Sequence, residues 1–343
     1  MDRIDLHLPT SWNACTTKEL EAIVVSQMLV PLDPPKEKEK KPAKVNKDDG
    51  VKEMRNITWK VDCLLRLAGL EMVEGPTPEV AVEEQYIMVQ RANVKRSWWS
   101  WLPWVKTTEN EPFALYIWQI HYWIDKYMSW LDKPPYIPTF PYPVWKCKGK
   151  EFHGPKTWLS DWKWAQYRMM QDYLQYYFEI TNIIAKKLPK ANDEERKKLE
   201  QQLRTAKALV LATVYCRRVK VVDEETHVKK RDWVYLANQS SENNRYFQDY
   251  PDVQFQVVLL WWGSQMERLH NIYPKCFKTS EKAKAKRRVP DPLELYAQLT
   301  ATLEKYTGFD EKTIDKESHE VVLRNLSRLI EENEEIEKMR SKH

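Results

Sequence analysis

The run from Trp162 to Leu188 places Trp162, Met169, Tyr173, Tyr177, Ile180, Ile184 and Leu188 at steps of seven, then of three or four residues. On a helix of 3.6 residues per turn that spacing makes one apolar stripe, and Pro189, which has no backbone donor, stops it. Directly afterwards Asn192 and Glu195 form a capping box for a second helix with the stripe Leu199, Leu203, Ala206, Val210 and Val214. Such stripes must be buried against other elements. The expected fold class is therefore mainly α, with multi-helix, bundle-like domains and a minor β-hairpin or strand component.

The rest of the chain divides around this core. Residues 1–32 read as a strand-helix unit: Ile4 to Leu8 alternates apolar and polar residues, Pro9 turns the chain, and a helix runs from Thr17 to Val30. Residues 33–56 are a Lys/Glu/Pro-rich flexible insertion, too polar to bury. Residues 57–277 form a central Trp/Tyr-rich helical domain. It opens with a helix from Ile57 to Leu70, with Val61, Leu64, Leu65 and Ala68 on one face, followed by a strand from Gln85 to Gln90. A helix capped by Asn110 is expected to run centrally to Leu131, with Leu115, Trp118 and Tyr122 on its apolar circumference. The Pro-rich stretch from Pro134 to Pro143 ends that unit, and a hairpin pairs Val144–Cys147 with Glu151–His153 around Lys148-Gly149-Lys150. The polar segment from Val219 to Asn244 reads as a flexible connection, and an apolar helix spans Pro251 to Asn271. Residues 278–290 are a basic linker. Residues 291–343 are a helical module, in which Asp291-Pro292-Leu293-Glu294 starts one helix and Leu295, Leu299, Leu303 and Tyr306 carry it to Gly308. Ser318 opens a terminal helix with Val322, Leu326 and Leu329 or Ile330 facing inward.

Chemistry is harder to find. The sequence has no Walker loop, dinucleotide fingerprint, Gly-x-Ser-x-Gly elbow or His-Glu-x-x-His helix. Its seven histidines never pair at metal-ligand spacing, so neither metal nor cofactor is expected. His121 and Asp125 lie one helical turn apart and could orient an imidazole as a general base, but a packed histidine beside Trp118 and Tyr122 explains the pair more simply. Cys216 precedes Arg217 and Arg218, which could lower a thiol pKa; a buried inert thiol is the plainer reading. The five cysteines, Cys15, Cys63, Cys147, Cys216 and Cys276, are odd in number and unpaired in spacing, as expected of free thiols in a reducing cytosol. No run approaches the ~20 apolar residues of a membrane span, and the start lacks the pattern of a secretory signal. A non-enzymatic, cytoplasmic protein is the expectation.

Two features point to partners. The basic residues Lys278, Lys282, Lys284, Lys286, Arg287 and Arg288 could contact phosphates, and tryptophans could stack bases. The basic stretch has no interleaved aromatics, though, and the net charge of +5 is the small difference of 55 basic and 50 acidic residues. A solvated linker is favoured over single-stranded nucleic-acid binding. Trp98, Trp99, Trp101 and Trp104 are different: four indoles within seven residues around a proline cannot all enter one core. They are the candidate partner-binding patch, since exposed Trp and Tyr dominate protein-protein hot spots.

The opening Leu8-Pro9-Thr10-Ser11-Trp12-Asn13, then Thr17-Lys18-Glu19-Leu20, resembles the start of tail-module proteins encoded by phages and prophages of Bacteroidetes. Gly149-Lys150-Glu151-Phe152-His153-Gly154-Pro155 before Trp158-Leu159, then Tyr215-Cys216-Arg217 and Tyr273-Pro274-Lys275-Cys276-Phe277, follow in similar order. From Asp291 through Tyr306-Thr307-Gly308-Phe309 to Met339 the chain resembles the small helical module of tail assembly chaperones. The Lys-rich insertion and the Trp cluster depart from that pattern. The resemblance implies a tail-assembly accessory protein or chaperone in the bacterial host cytoplasm that holds a tape-measure-like client. A structural virion component is the alternative, and homo-oligomerisation stays open.

Overall fold

The computed structural model describes residues 8–29, 58–73, 86–92, 112–222, 229–234, 240–277 and 292–340. The chain is mainly α, with a three-stranded and a four-stranded antiparallel sheet. It forms two compact units, Met1–Tyr136 and Ile137–His343. The division falls inside the span 57–277 that the sequence suggested as one domain.

In the first unit, α1 (Thr17–Leu29) begins where Thr16 and Glu19 exchange hydrogen bonds: the Glu19 carboxylate accepts from Thr16 N at 2.6 Å and the Thr16 hydroxyl from Glu19 N at 3.3 Å. It buries Leu20, Ile23 and Val24. Helix α2 (58–67) buries Trp59, Cys63, Leu64 and Leu65, and Gly69 at φ +66° supplies the left-handed turn that releases the chain into β1 (Leu70–Met72). β2 (Tyr86–Arg91) pairs with β1 on one side and with β3 (Phe113–Tyr116) on the other. The expected strand is present, one residue later than the alternation placed it.

The helix expected to run from Asn110 to Leu131 needs correcting. Residues 113–116 form a strand paired with 86–89, Ile117–Tyr127 is α-helical (α3), and a 3-10 turn follows at Ser129–Asp132. Phe113-Ala114-Leu115-Tyr116 alternates as well as it winds, and a ladder partner decides between the two. Leu115 is buried in that strand, Ile120 and Ile124 face the core, and Trp118 and Tyr122 are 62% and 51% exposed. Helix α3 is thus amphipathic, with a wet aromatic side, rather than central.

In the second unit, β4 (Val144–Cys147) and β5 (Lys150–His153) form the expected hairpin, with Lys148 and Gly149 both at positive φ in the turn. Helices α4 (Trp164–Lys187) and α5 (Asp193–Val214) fold back on each other across the short turn at Leu188–Lys190. The second half of α5 is enclosed almost all round, from Ala206 to Val214. Its Lys207 is buried too, its ammonium donating to the Tyr250 carbonyl and to Asp252, each at 2.7 Å. After α5 the polar segment expected to be a flexible connection contains a hairpin, β6 (Cys216–Val222) with β7 (Lys229–Val234), which extends the sheet in the order β4-β5-β6-β7. A short helix α6 (Ser240–Asn243) leads to α7 (Asp252–Ile272), the centre of this unit, which buries Phe255, Val257, Val258, Trp261, Trp262 and Leu269. Phe140 packs edge-on against Trp261 at 4.8 Å and Tyr215 at 5.4 Å, and a side chain at Gly154 would collide with its ring.

The C-terminal module comprises α8 (Pro292–Thr307), α9 (Glu311–Lys316) and α10 (His319–Arg340). Gly308, at φ +73°, ends α8, as the sequence indicated, and Asp310 caps α9 through Thr313 N at 2.9 Å. A single bridge, Lys163 with Ser318, joins the entry to α4 and the entry to α10. Val322 and Leu326, expected to face inward, are buried along with Leu323.

Candidate functional site

A cavity of about 320 Å³ lies where the C-terminal module meets the central helices of the second unit. Helix α4 contributes Trp164, Tyr167 and Gln171, and α10 contributes Leu323, Leu326 and Ile330; both sets follow the same i, i+3, i+7 spacing on one helix face. Met266 and His270, one turn apart on α7, form a third wall, and Cys276 and Phe277 follow α7.

Several polar atoms of these walls bond to one another, while the Trp164 Nε1 is buried with no hydrogen-bond partner. The Gln171 amide donates to the Met266 sulfur at 3.3 Å, the Tyr167 hydroxyl approaches the same sulfur at 3.7 Å, and the Cys276 thiol donates to the Leu323 carbonyl at 3.4 Å. His270 lies against the Phe277 ring at 4.2 Å, and Trp164 stacks on Tyr167 at 5.5 Å. Behind Tyr167 sits His319, fully buried, its ring stacked at 5.7 Å and its Nδ1 3.3 Å from the Trp162 carbonyl. Its Nε2 is buried with no hydrogen-bond partner. Burial pushes His319 below the ordinary histidine range and Cys276 above the ordinary thiol range, so both are neutral at pH 7.

Charged residues outside the cavity divide by origin. Arg268 of α7 pairs with Glu320 at 2.8 Å, Lys275 with Glu334 at 3.1 Å, and Arg168 of α4 with Asp315 at 3.0 Å. Every cation here comes from the central helices or the segment after α7, and every carboxylate from the C-terminal module. Arg268 also lies over the Trp158 ring at 5.0 Å. Trp158 and Leu159 hold left-handed backbone at φ 59° and 58°, a conformation that non-glycine residues keep only where packing imposes it.

Comparison with known proteins gives no family: no family model, no curated protein and no solved structure matches this chain.

Trp98, Trp99, Trp101 and Trp104, the partner patch expected from sequence, lie outside the described residues, as do Lys278 to Arg288. His121 and Asp125 are both on the exposed side of α3. Burial pushes the Cys216 thiol up to about 12, with Asp161 adding to the shift, which opposes the activated nucleophile that Arg217 and Arg218 suggested. Among the described residues no three His, Cys, Asp or Glu side chains converge as a metal-binding group, and no helix is long and apolar enough to cross a membrane. Sequence reasoning missed most of the cavity wall. Trp164, Tyr167 and Gln171 repeat at helical spacing, but on a face turned away from the Met169 and Tyr173 stripe. Leu326 is on the face expected inward, and Ile330 is one of the two alternatives, Leu329 or Ile330, for its next position.

Proposed function

We propose that this chain is a non-enzymatic polypeptide-holding protein, a phage tail-assembly accessory protein or chaperone. In this reading the cavity between α4, α7 and α10 receives apolar side chains from an amphipathic helix of a tape-measure-like client in the host cytoplasm. One observation carries the reading: the cavity is lined mainly by aromatic, aliphatic and thioether groups, and the Gln171, Tyr167 and Cys276 side chains bond within its walls. At roughly 30 Å³ per molecule the space holds about ten waters, and they find few partners on such walls. Displacing poorly bonded water with apolar side chains is favourable. Met266 and Gln171 are flexible, and a thioether suits a surface that adapts to varied side chains.

The resemblance of residues 291–339 to a tail assembly chaperone module supports the same reading, because three of the cavity's lining residues belong to that module. Helix-in-groove recognition needs a surface of this kind and no general base or nucleophile. Co-expression with the tape-measure protein of the same phage tests it. A soluble complex that co-purifies is the expected result; a tape-measure protein equally soluble alone, with no complex, would defeat the proposal.

A further inference from the structure

Backbone bonds tie the C-terminal module to the entry of α4. Trp164 N donates to the Glu317 carbonyl at 2.8 Å and His319 N to the Trp162 carbonyl at 3.3 Å, on either side of the Lys163–Ser318 bridge. His319, the first residue of α10, is 0% exposed at this junction, and its ring lies over Tyr167 in the cavity wall. The Trp162 carbonyl can only accept, so the Nδ1 beside it carries a proton, and in the neutral ring the buried Nε2 is left bare.

A second proton would sit on Nε2, which has no acceptor here. Three things oppose the charge: burial of the ring, the partial positive charge at the N-terminal end of α10, and Arg268 of α7. Glu320 on the same helix, Asp161 before α4 and the ring face of Tyr167 favour it, but the Glu320 carboxylate is already paired with Arg268 at 2.8 Å. Lys163 and Glu317, on the two sides of the bridge, are opposite in sign. Burial is the largest of these effects and keeps the docked imidazole below the ordinary histidine range. Elsewhere the module is held by buried Val322, Leu323 and Leu326 and by ion pairs at the surface: Arg168 with Glu311 and Asp315, and Lys275 with Glu331 and Glu334. Such pairs are individually weak. The centre of the unit needs none of them, since α5 from Ala206 to Val214 and Trp261 of α7 are enclosed by other elements.

We infer that His319 is an acid-sensitive latch: when its imidazole takes a second proton, the C-terminal module lifts from α4 and α7, and the cavity loses its α10 wall of Leu323, Leu326 and Ile330. Undocking hydrates the charged ring without unfolding the rest of the unit. The sign follows from the lowered pKa of the docked state. Docking is whole above the ordinary histidine value and is lost as pH falls from there toward the docked value. That a held client then leaves rests on the reading proposed above; the latch itself does not.

Hydrogen-deuterium exchange of the full chain without client, at about pH 7.5 and about pH 5.5 and corrected for the intrinsic pH dependence of exchange, tests it. A released histidine titrates near 6.5, so the opening constant for α10 amides from Val322 to Ile330 should rise by up to about tenfold at the lower pH. Amides of α5 from Ala206 to Val214 should keep their protection. His319→Phe retains a ring over Tyr167 and takes up no proton, so its α10 opening should be equal at the two pH values. His319→Gln, which loses the ring as well, should be equally flat whether its module docks or stands open. An unchanged opening constant in the wild type would overturn the inference. So would an equal rise in His319→Phe, which would assign the effect to carboxylates such as Asp315, or an equal loss of protection in α5, which would be general unfolding. No client is in the sample, so failure of the chaperone reading and failure of the latch are told apart.

Discussion

His319 is a buried base with one hydrogen bond and an unpartnered Nε2, and its titration is tied to folding. Burial lowers its pKa from 6.5 and Arg268 adds to that, while the Trp162 carbonyl, Glu320 and Asp161 pull the other way. The unfolded chain takes up a proton near the ordinary histidine value, and the native state resists until lower pH. This residue's share of stability is therefore whole above pH 6.5 and drains as the pH falls from there toward the native pKa. Urea midpoints measured from neutral to mildly acidic pH should decline for the wild type and decline less for His319→Gln. Parallel profiles would show that His319 is not buried as a neutral base. Lys207 shows another solution to the same cost. Its side-chain nitrogen is buried but donates to the Tyr250 carbonyl and to Asp252, although the carboxylate is mostly exposed and adds little as an ion pair.

At the level of elements, helix ends were the most legible feature. Asn192 and Glu195 satisfy each other's backbone donors at 2.9 and 3.1 Å, as their spacing predicts, and three acids occupy the first turn of α5. Asn192→Ala should cost about 1 kcal/mol, read as a lower urea midpoint at unchanged slope. An unchanged midpoint would mean that the box adds nothing to this helix. Gly308 marks a helix end for the same local reason, and it and Gly69 both have positive φ. The errors fell where a local pattern fitted two periods. Phe113 to Tyr116 could wind or pleat, and pairing with β2 chose the strand. The β6–β7 segment reads as a polar connection because charge dominates its composition, whereas the alternation of Val219 and Val221 is that of a strand.

At the scale of the whole molecule, helical periodicity in the sequence supplied the mainly α class but not the cavity. Periodicity assigns a face to each helix separately, whereas a gap between α4, α7 and α10 depends on how three faces converge from residues 164 to 330. The same convergence sets Arg168, Arg268 and Lys275 against carboxylates of the C-terminal module, so the module that completes the cavity is held partly by charge. Those pairs are weakly worth counting one by one, and salt screens them. The central claim is that apolar client side chains enter this cavity, and calorimetric titration with an amphipathic helical peptide from the tape-measure protein tests it most directly. The wild type should bind with a negative heat-capacity change, and Ile330→Trp, which fills the space from the α10 wall, should weaken binding at least about tenfold without altering the helical circular dichroism. Equal affinity for wild type and Ile330→Trp, or no binding by the wild type, would contradict the claim.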